Sequence, residues 1–300
     1  QTIQAMELVK RFGETTALRA MNASVEEGSV YGLVGTNGSG KSTFLRLLAG
    51  VYYPDGGRVQ IGGEDTYENE KLKDSLFFVP DELYFFPQST MEDMAHFYAG
   101  QYSGWDWEYY KKLCDIFPIG NKVRLNTFSK GMQRQAAILL ALSARCKYLL
   151  LDEAFDGLDP VMRGAVRRLL ADEVAERKMT VIISSHNLRE LEDLCDHVGL
   201  LYNGNILFSR ELDEVKLGFC KVQAAFQPER EVTELTGIQV MQYEKRGSLL
   251  SMVVRGNSQE VLKRLEEFRP VFAEALPLTL EEVFIHEMEE VGYDYNNIIF

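Results

Sequence analysis

The run Gly35-Thr36-Asn37-Gly38-Ser39-Gly40-Lys41-Ser42-Thr43 follows a short apolar segment, Val30–Val34, and opens a helical pattern that continues through Leu48. An apolar run of that length bounded by turn residues reads as a strand buried on both faces, and such strands belong to sheets covered by helices. The glycines let the backbone wrap so that its N–H groups point inward, and the helix start adds the positive end of a dipole. The result is a nest of donors matched to phosphate oxygens. The spacing G-x-x-x-x-G-K-[ST] arises by chance in roughly one chain in a hundred of this length. Here it also sits in the strand, loop, helix context that the pattern requires. Lys41 is placed to reach the β- and γ-phosphates of a nucleotide, and Ser42 to ligate Mg²⁺. The plain alternative is a flexible Gly/Ser turn beside a surface lysine.

The same alternation of strand and helix continues for about two hundred residues. Leu76–Val79, Tyr148–Leu151 and Val181–Ser184 are further short apolar runs, each followed by a polar cluster and a helical pattern. This predicts an α/β fold with a mostly parallel sheet and crossover helices. Asp159 caps one helix, with Pro160 in its first turn and a stripe through Val161, Ala165, Val166, Leu169, Leu170 and Val174. Another starts at Thr90, with Glu92 and Asp93 in its first turn. The pattern changes near Leu217. Strand-like Phe219–Phe226, Ile238–Tyr243 and Leu249–Val254 follow, then a helix capped by Asn257 and a last helix from Thr279 with Glu282 as its capping-box partner. We therefore expect a first domain over 1–216 and a small α+β accessory domain over 217–300. In the last helix Leu280, Val283, Phe284 and Met288 form one apolar stripe, suited to the domain's own strands or to a partner.

Composition narrows the class. Acidic residues outnumber basic ones 45 to 32, for a formal charge of −13, so covering nucleic acid is not the expected role. The cysteines Cys114, Cys146, Cys195 and Cys220 form no C-x-x-C pair, which points to reduced and mostly buried thiols. No signal-peptide pattern opens the chain, and the longest apolar stretches, such as Ala136–Leu142, fall far short of the roughly 18 residues of a membrane span.

The strand Tyr148–Leu151 ends in Asp152-Glu153. Beside a phosphate loop, the first acid reaches the Mg²⁺ shell, and the second can polarise a water for in-line attack on the γ-phosphate. Taken alone, the two carboxylates read equally as a solvated turn.

At Phe128-Ser129-Lys130-Gly131-Met132-Gln133, just before the helix leading into that strand, the chain resembles the ATP-binding cassette of ABC transporters. The family's signature there is L-S-G-G-Q, of which Ser129 and Gly131 are kept while Phe128, Lys130 and Met132 depart. Further matches follow in the family's order over about residues 3–215. Asp156-Gly157-Leu158-Asp159 looks like the D-loop, His186 like the switch histidine, and Phe12 like the aromatic residue that stacks on adenine. Singly, each has a plain reading: Ser129 and Asp159 as helix caps, His186 as a structural histidine, Phe12 as core. One departure stands out. Where the family places glutamine after the proline, this chain has Asp81, which is shorter and, when ionised, only an acceptor. Asp81 is expected to reach the metal directly or through water.

The resemblance implies a P-loop ATPase cassette with a mostly parallel core sheet, an antiparallel N-terminal β-subdomain and a helical arm over about 82–145. It implies ATP and Mg²⁺ as ligands, with Ser42, Asp152 and Asp81 around the metal and Glu153 and His186 at the reacting phosphate. It also implies a head-to-tail dimer with a second cassette, a copy or a paralogue, in which Ser129, Lys130, Gly131 and Met132 act on the partner's nucleotide. With no span of its own, the chain would serve a separate transmembrane permease from the cytoplasmic face of the membrane. The Pro80-Asp81-Glu82 loop, the altered signature and the ending Leu278–Phe284 resemble bacterial multidrug or antibiotic-peptide exporters. The competing reading is a soluble ABC-type ATPase acting on ribosomes or DNA. Such proteins usually carry two cassettes or a long coiled-coil insertion, and this chain has one phosphate loop. A generic phosphate-loop kinase leaves Ser129 and His186 unexplained.

Overall fold

The N-terminal strands alternate polar and apolar residues and so pair as an antiparallel sheet with one buried face. β1 (Ile3–Phe12) turns at Gly13, where φ is 59°, into β2 (Thr15–Val25), and β4 (Gly56–Ile61) and β5 (Glu64–Asp65) complete the order β2-β1-β4-β5. The computed structural model describes residues 2–117 and 119–290, with the side chains of these apart from 215–217 and 286–290. The stripe residue Met288 therefore lies outside the described side chains.

The continuous apolar runs form the second sheet. β3 (Val30–Val34), β6 (Leu76–Val79), β7 (Tyr148–Asp152), β8 (Thr180–Ser185), β9 (His197–Tyr202) and β10 (Asn205–Glu211) lie in the order β10-β9-β3-β8-β7-β6. β9, β3, β8, β7 and β6 run parallel, and β3, β7 and β8 are buried along their whole length. Asn203 and Gly204, both at positive φ, make the turn from β9 to β10. Between the two sheets lies α1 (Lys41–Leu48). Its Phe44, Leu45, Leu47 and Leu48 share one core with Ile3, Leu8 and Met21 of the first sheet and Leu33, Leu150 and Ile182 of the second. Both layers thus fix the helix whose first turn closes the phosphate loop.

After α2 (Glu70–Ser75) and β6, the chain leaves the sheet as α3 (Met91–Gln101), α4 (Trp107–Ile116) and α5 (Lys130–Ser143). Thr90 and Asp93 close a capping box on α3, and Ser129 caps α5. α6 (Pro160–Arg177) begins at Asp159, whose carboxylate accepts from the N–H groups of Val161 and Met162. The expected stripe on α6 needs correction at Val161, which is 73% exposed. The buried face runs through Val166, Leu169, Leu170 and Glu173, and Val161 lies about half a helical turn from Leu170. Glu173 occupies the core side because Arg145 and Arg177 both pair with it. The short α7 (Leu188–Leu191) follows β8.

The chain divides into a first compact unit ending at Ser209 and a second beginning at Arg210, ahead of the pattern change at Leu217. In the second unit come α8 (Leu212–Gly218), β11 (Phe219–Ala225), β12 (Val240–Arg246), β13 (Leu249–Arg255), α9 (Ser258–Glu266), β14 (Phe272–Leu276) and α10 (Leu280–Glu290). The sheet order β12-β13-β11-β14 is antiparallel throughout. This is the order of a split βαβ sandwich, with the 3-10 turn Val232–Glu234 where its first helix would stand. Val222, Phe226, Leu250 and Met252 pack on Val261 and Leu265 of α9. On α10, Val283 packs against Phe219 with Leu278 and Met241, so that part of the stripe serves the unit's own strands. All four cysteines are free thiols.

Candidate active site

β3, β6, β7 and β8 run parallel, so their carboxyl ends lie along one edge of the sheet, the usual place for a ligand in an open α/β sheet. The loop after β3 needs its glycines for space. A Cβ on Gly35 would lie 2.3 Å from the Leu201 carbonyl oxygen, and one on Gly40 would lie 2.8 Å from that of Ala17. Gly40 also sits at φ 113° and supplies no side-chain cap to α1, which leaves the helix start to an outside acceptor. The Ser39 N–H donates to the Thr36 carbonyl at 3.1 Å, and the Gly204 N–H donates to that of Ser39 at 3.0 Å.

Lys41 is 6% exposed and folds back over this loop. Its Nζ donates to the carbonyls of Gly35 (2.7 Å) and Thr36 (3.2 Å) and lies 3.2 Å from Glu153 Oε1. Glu153 directly follows β7 in the left-handed region at φ 49°, a conformation that favours turns and functional sites in non-glycine residues. Its other oxygen, Oε2, lies 2.9 Å from His186 Nδ1 and accepts from the His186 N–H at 3.3 Å. One carboxylate thus joins the phosphate-loop lysine to the histidine beyond β8.

Ser184 at the end of β8 organises the pair of acids from beneath. Its Oγ donates to Asp152 Oδ1 at 2.5 Å and accepts from the Glu153 N–H at 3.0 Å. Residue patterns did not single it out. The signal was a fully buried Ser184-Ser185 pair closing an otherwise apolar strand. Asp152 is wholly buried, and burial pushes its carboxyl above the ordinary value of 3.8. Hydrogen bonds from Ser184 and Ser42 oppose that rise, and the charges of Glu153 and Asp81 add to it. Its second oxygen, Oδ2, is buried without a hydrogen-bond partner. An orphaned carboxylate oxygen beside the Ser42 hydroxyl is a hard-oxygen donor set that fits Mg²⁺. Among the described residues no group of three or more His, Cys, Asp or Glu is placed to hold a metal ion, so a cation here would complete its shell with phosphate and water oxygens.

The other expected site residues lie in separate settings. Phe12 is 44% exposed and meets Tyr52 edge-on at 5.3 Å, so it is a surface ring and not core. Ser129 and Lys130 are exposed, Met132 is 37% exposed, and the Ser129 Oγ accepts only locally, from the Met132 N–H. Gly131 touches the Asp156–Asp159 turn: a Cβ there would lie 2.6 Å from the Gly157 carbonyl oxygen. Asp81 pairs with Arg134 of α5, its Oδ1 2.7 Å from Nη2, a partner the residue pattern did not indicate.

A glycine-lined phosphate cradle, a buried lysine and an acid pair at strand ends of one parallel sheet, with a signature-bearing helical arm, define a phosphate-loop ATPase cassette. The ABC transporter family profile matches residues 18–156. The chain is 29% identical over 283 residues to the ABC transporter ATP-binding protein YtrB of Bacillus subtilis, covering 94% of this chain and 97% of that one. It is 32% identical over 220 residues to the bacitracin transport ATP-binding protein BcrA of Bacillus licheniformis, covering 71% of each. The dimeric structure of the bacterial ABC transporter cassette MJ0796 has the same fold, with TM-score 0.63 and 23% identity over 70% of this chain and 98% of that one. The chain belongs to the ABC transporter family, as an ATP-binding and ATP-hydrolysing subunit. No described helix is long and apolar enough to cross a membrane.

Proposed function

We propose that this subunit drives a separate transmembrane permease of exporter type from the cytoplasmic face of the membrane, by closing on a second cassette around ATP. The observation that carries the reading is the Lys41–Glu153–His186 chain at the phosphate loop. Lys41 binds the β- and γ-phosphates in place of its carbonyl partners, and the phosphates take over the charge that Glu153 now neutralises. Glu153, released from Lys41, takes a proton from the attacking water, held in orientation by His186. Ser42 and Asp152 would hold Mg²⁺, which would supply charge neutralisation on the phosphates. Ser184 keeps one oxygen of Asp152 fixed.

The exposed N-cap of α5 presents Ser129 and Gly131 to a nucleotide on the facing subunit, while Phe12 offers an open ring to its own adenine. For the permease, an apolar groove on the arm side of β6 is lined by Phe78, Pro80, Leu83, Tyr84, Tyr98 and Leu140. Tyr84 of this lining is exposed and meets the exposed Phe86 edge-on, and Phe86 in turn meets the exposed Phe97 edge-on. Exposed aromatics grouped in this way mark an interaction surface. The names of relatives, one for bacitracin transport and one for linearmycin resistance, support an exporter. The test is Glu153→Gln, which keeps the shape of the side chain and removes the base. The variant should bind ATP, lose hydrolysis and run as a dimer on gel filtration with ATP. Hydrolysis at the parent rate would overturn the assignment.

A further inference from the structure

Asp81 stands just past the end of β6, and Arg134 lies one turn into α5, whose N-cap is Ser129. Their side chains meet at 2.7 Å, with the guanidinium largely shielded (11% exposed) and the carboxylate half open (49%). Arg134 Nη1 is buried and has no hydrogen-bond partner, so Asp81 is the charge that satisfies this arginine. The charge of Asp81 also acts on the Asp152 carboxyl. One carboxylate is thus tied to the helix that presents the signature while its charge is felt at the cation-site acid.

We infer that Asp81 is a positioning residue that acts through Arg134: their ion pair holds the N-terminal turn of α5 in register with the cation site, and Asp81 is not itself a ligand of the cation. The inference rests on the ATPase reading given above. A carboxylate drawn away to a metal would strand a shielded guanidinium whose second nitrogen is already unpartnered, and uncompensated buried charge is costly. A charge-assisted hydrogen bond to a planar guanidinium also fixes direction as well as distance. A glutamine at this place would give Arg134 only a neutral carbonyl.

The experiment compares D81N, D81Q, R134Q, R134K and D81N/R134Q with the parent in the full chain. The readouts are ATPase kcat, KM for ATP, the Mg²⁺ concentration for half-maximal activity, and binding of a fluorescent ATP analogue. D81N, D81Q and R134Q are each expected to lower kcat about tenfold while KM and the Mg²⁺ midpoint stay within about twofold. The double variant should be no worse than the weaker single, and R134K, which keeps the charge without the planar fork, should fall between R134Q and the parent. The inference is overturned if D81N raises the Mg²⁺ midpoint about tenfold while R134Q leaves it alone, which is the signature of a direct ligand. It is equally overturned if D81Q is fully active, or if the losses of the two singles multiply in the double. A parent that neither binds the analogue nor hydrolyses ATP would overturn the ATPase reading itself. A parent that does both confines any failure to the Asp81–Arg134 pair.

Discussion

Replacing Gly131 by alanine adds one methyl group where the signature helix meets the Gly157 turn. The new Cβ would stand 2.6 Å from the Gly157 carbonyl oxygen, against an ordinary contact of 3.4 Å, so the two segments must part by 3.4 − 2.6 = 0.8 Å. The obstacle is backbone and cannot rotate away. Overpacking of this kind costs about 1–3 kcal/mol, offset by up to about 1 kcal/mol from alanine's better helix propensity. The net loss of roughly 0–3 kcal/mol lowers the melting temperature by at most about 12 °C at this size, and the protein folds. Activity is more sensitive, since a displacement near 1 Å at a catalytic element costs about a hundredfold. Gly164 of α6 is the matched control, because a Cβ there meets nothing within 4 Å. Gly164→Ala should raise stability by up to about 1 kcal/mol and leave ATPase activity unchanged. Steady-state ATPase assays and thermal melts on both variants check the argument. An ATPase rate for Gly131→Ala within about threefold of the parent would refute it, since the argument requires a displaced element to lose far more.

Asp152→Asn removes a carboxylate whose folded-state value burial has raised above 3.8. The ionised form therefore burdens the fold at neutral pH, and that burden disappears as pH falls through the raised value. The variant should melt higher than the parent at pH 7, with the gap closing in acid, and Mg²⁺ should no longer raise its melting temperature in the presence of ATP; a pH series of melts decides. Mixing Ser129→Arg with Lys41→Ala subunits should restore part of the ATPase activity that each lacks alone, because one composite site in the mixed dimer keeps both residues. No recovery in verified mixed dimers would count against sharing. Truncation after Glu211 should leave a folded protein that binds a fluorescent ATP analogue with Kd within about threefold of the full chain, since every site residue precedes the cut. A folded fragment that fails to bind would place part of the site in the second unit.

Much of this molecule was legible because its signals are local. The glycine spacing after Val30–Val34 dictates a wrapped loop, and the apolar runs dictate buried parallel strands. Asp159, Thr90, Asn257 and Thr279 cap the helices they announce, because a cap joins residues two or three apart. Tertiary structure decided what depends on distant residues meeting. Ser184 supports the acids from 31 residues away along the chain, and Arg134 finds Asp81 across 53. No periodicity records such pairs. Gly131 reads as a motif letter in the sequence, whereas the folded chain gives its reason, the Gly157 carbonyl pressed against it. Val161 fits an apolar stripe by residue type, yet the sheet lies on the far side of α6 and leaves it in solvent. Glu173 breaks that stripe by type and is buried because two arginines converge on it. Local stereochemistry thus fixed the elements and the phosphate cradle, and packing alone brought Lys41, Glu153 and His186 into one chain, an ion pair followed by a hydrogen bond.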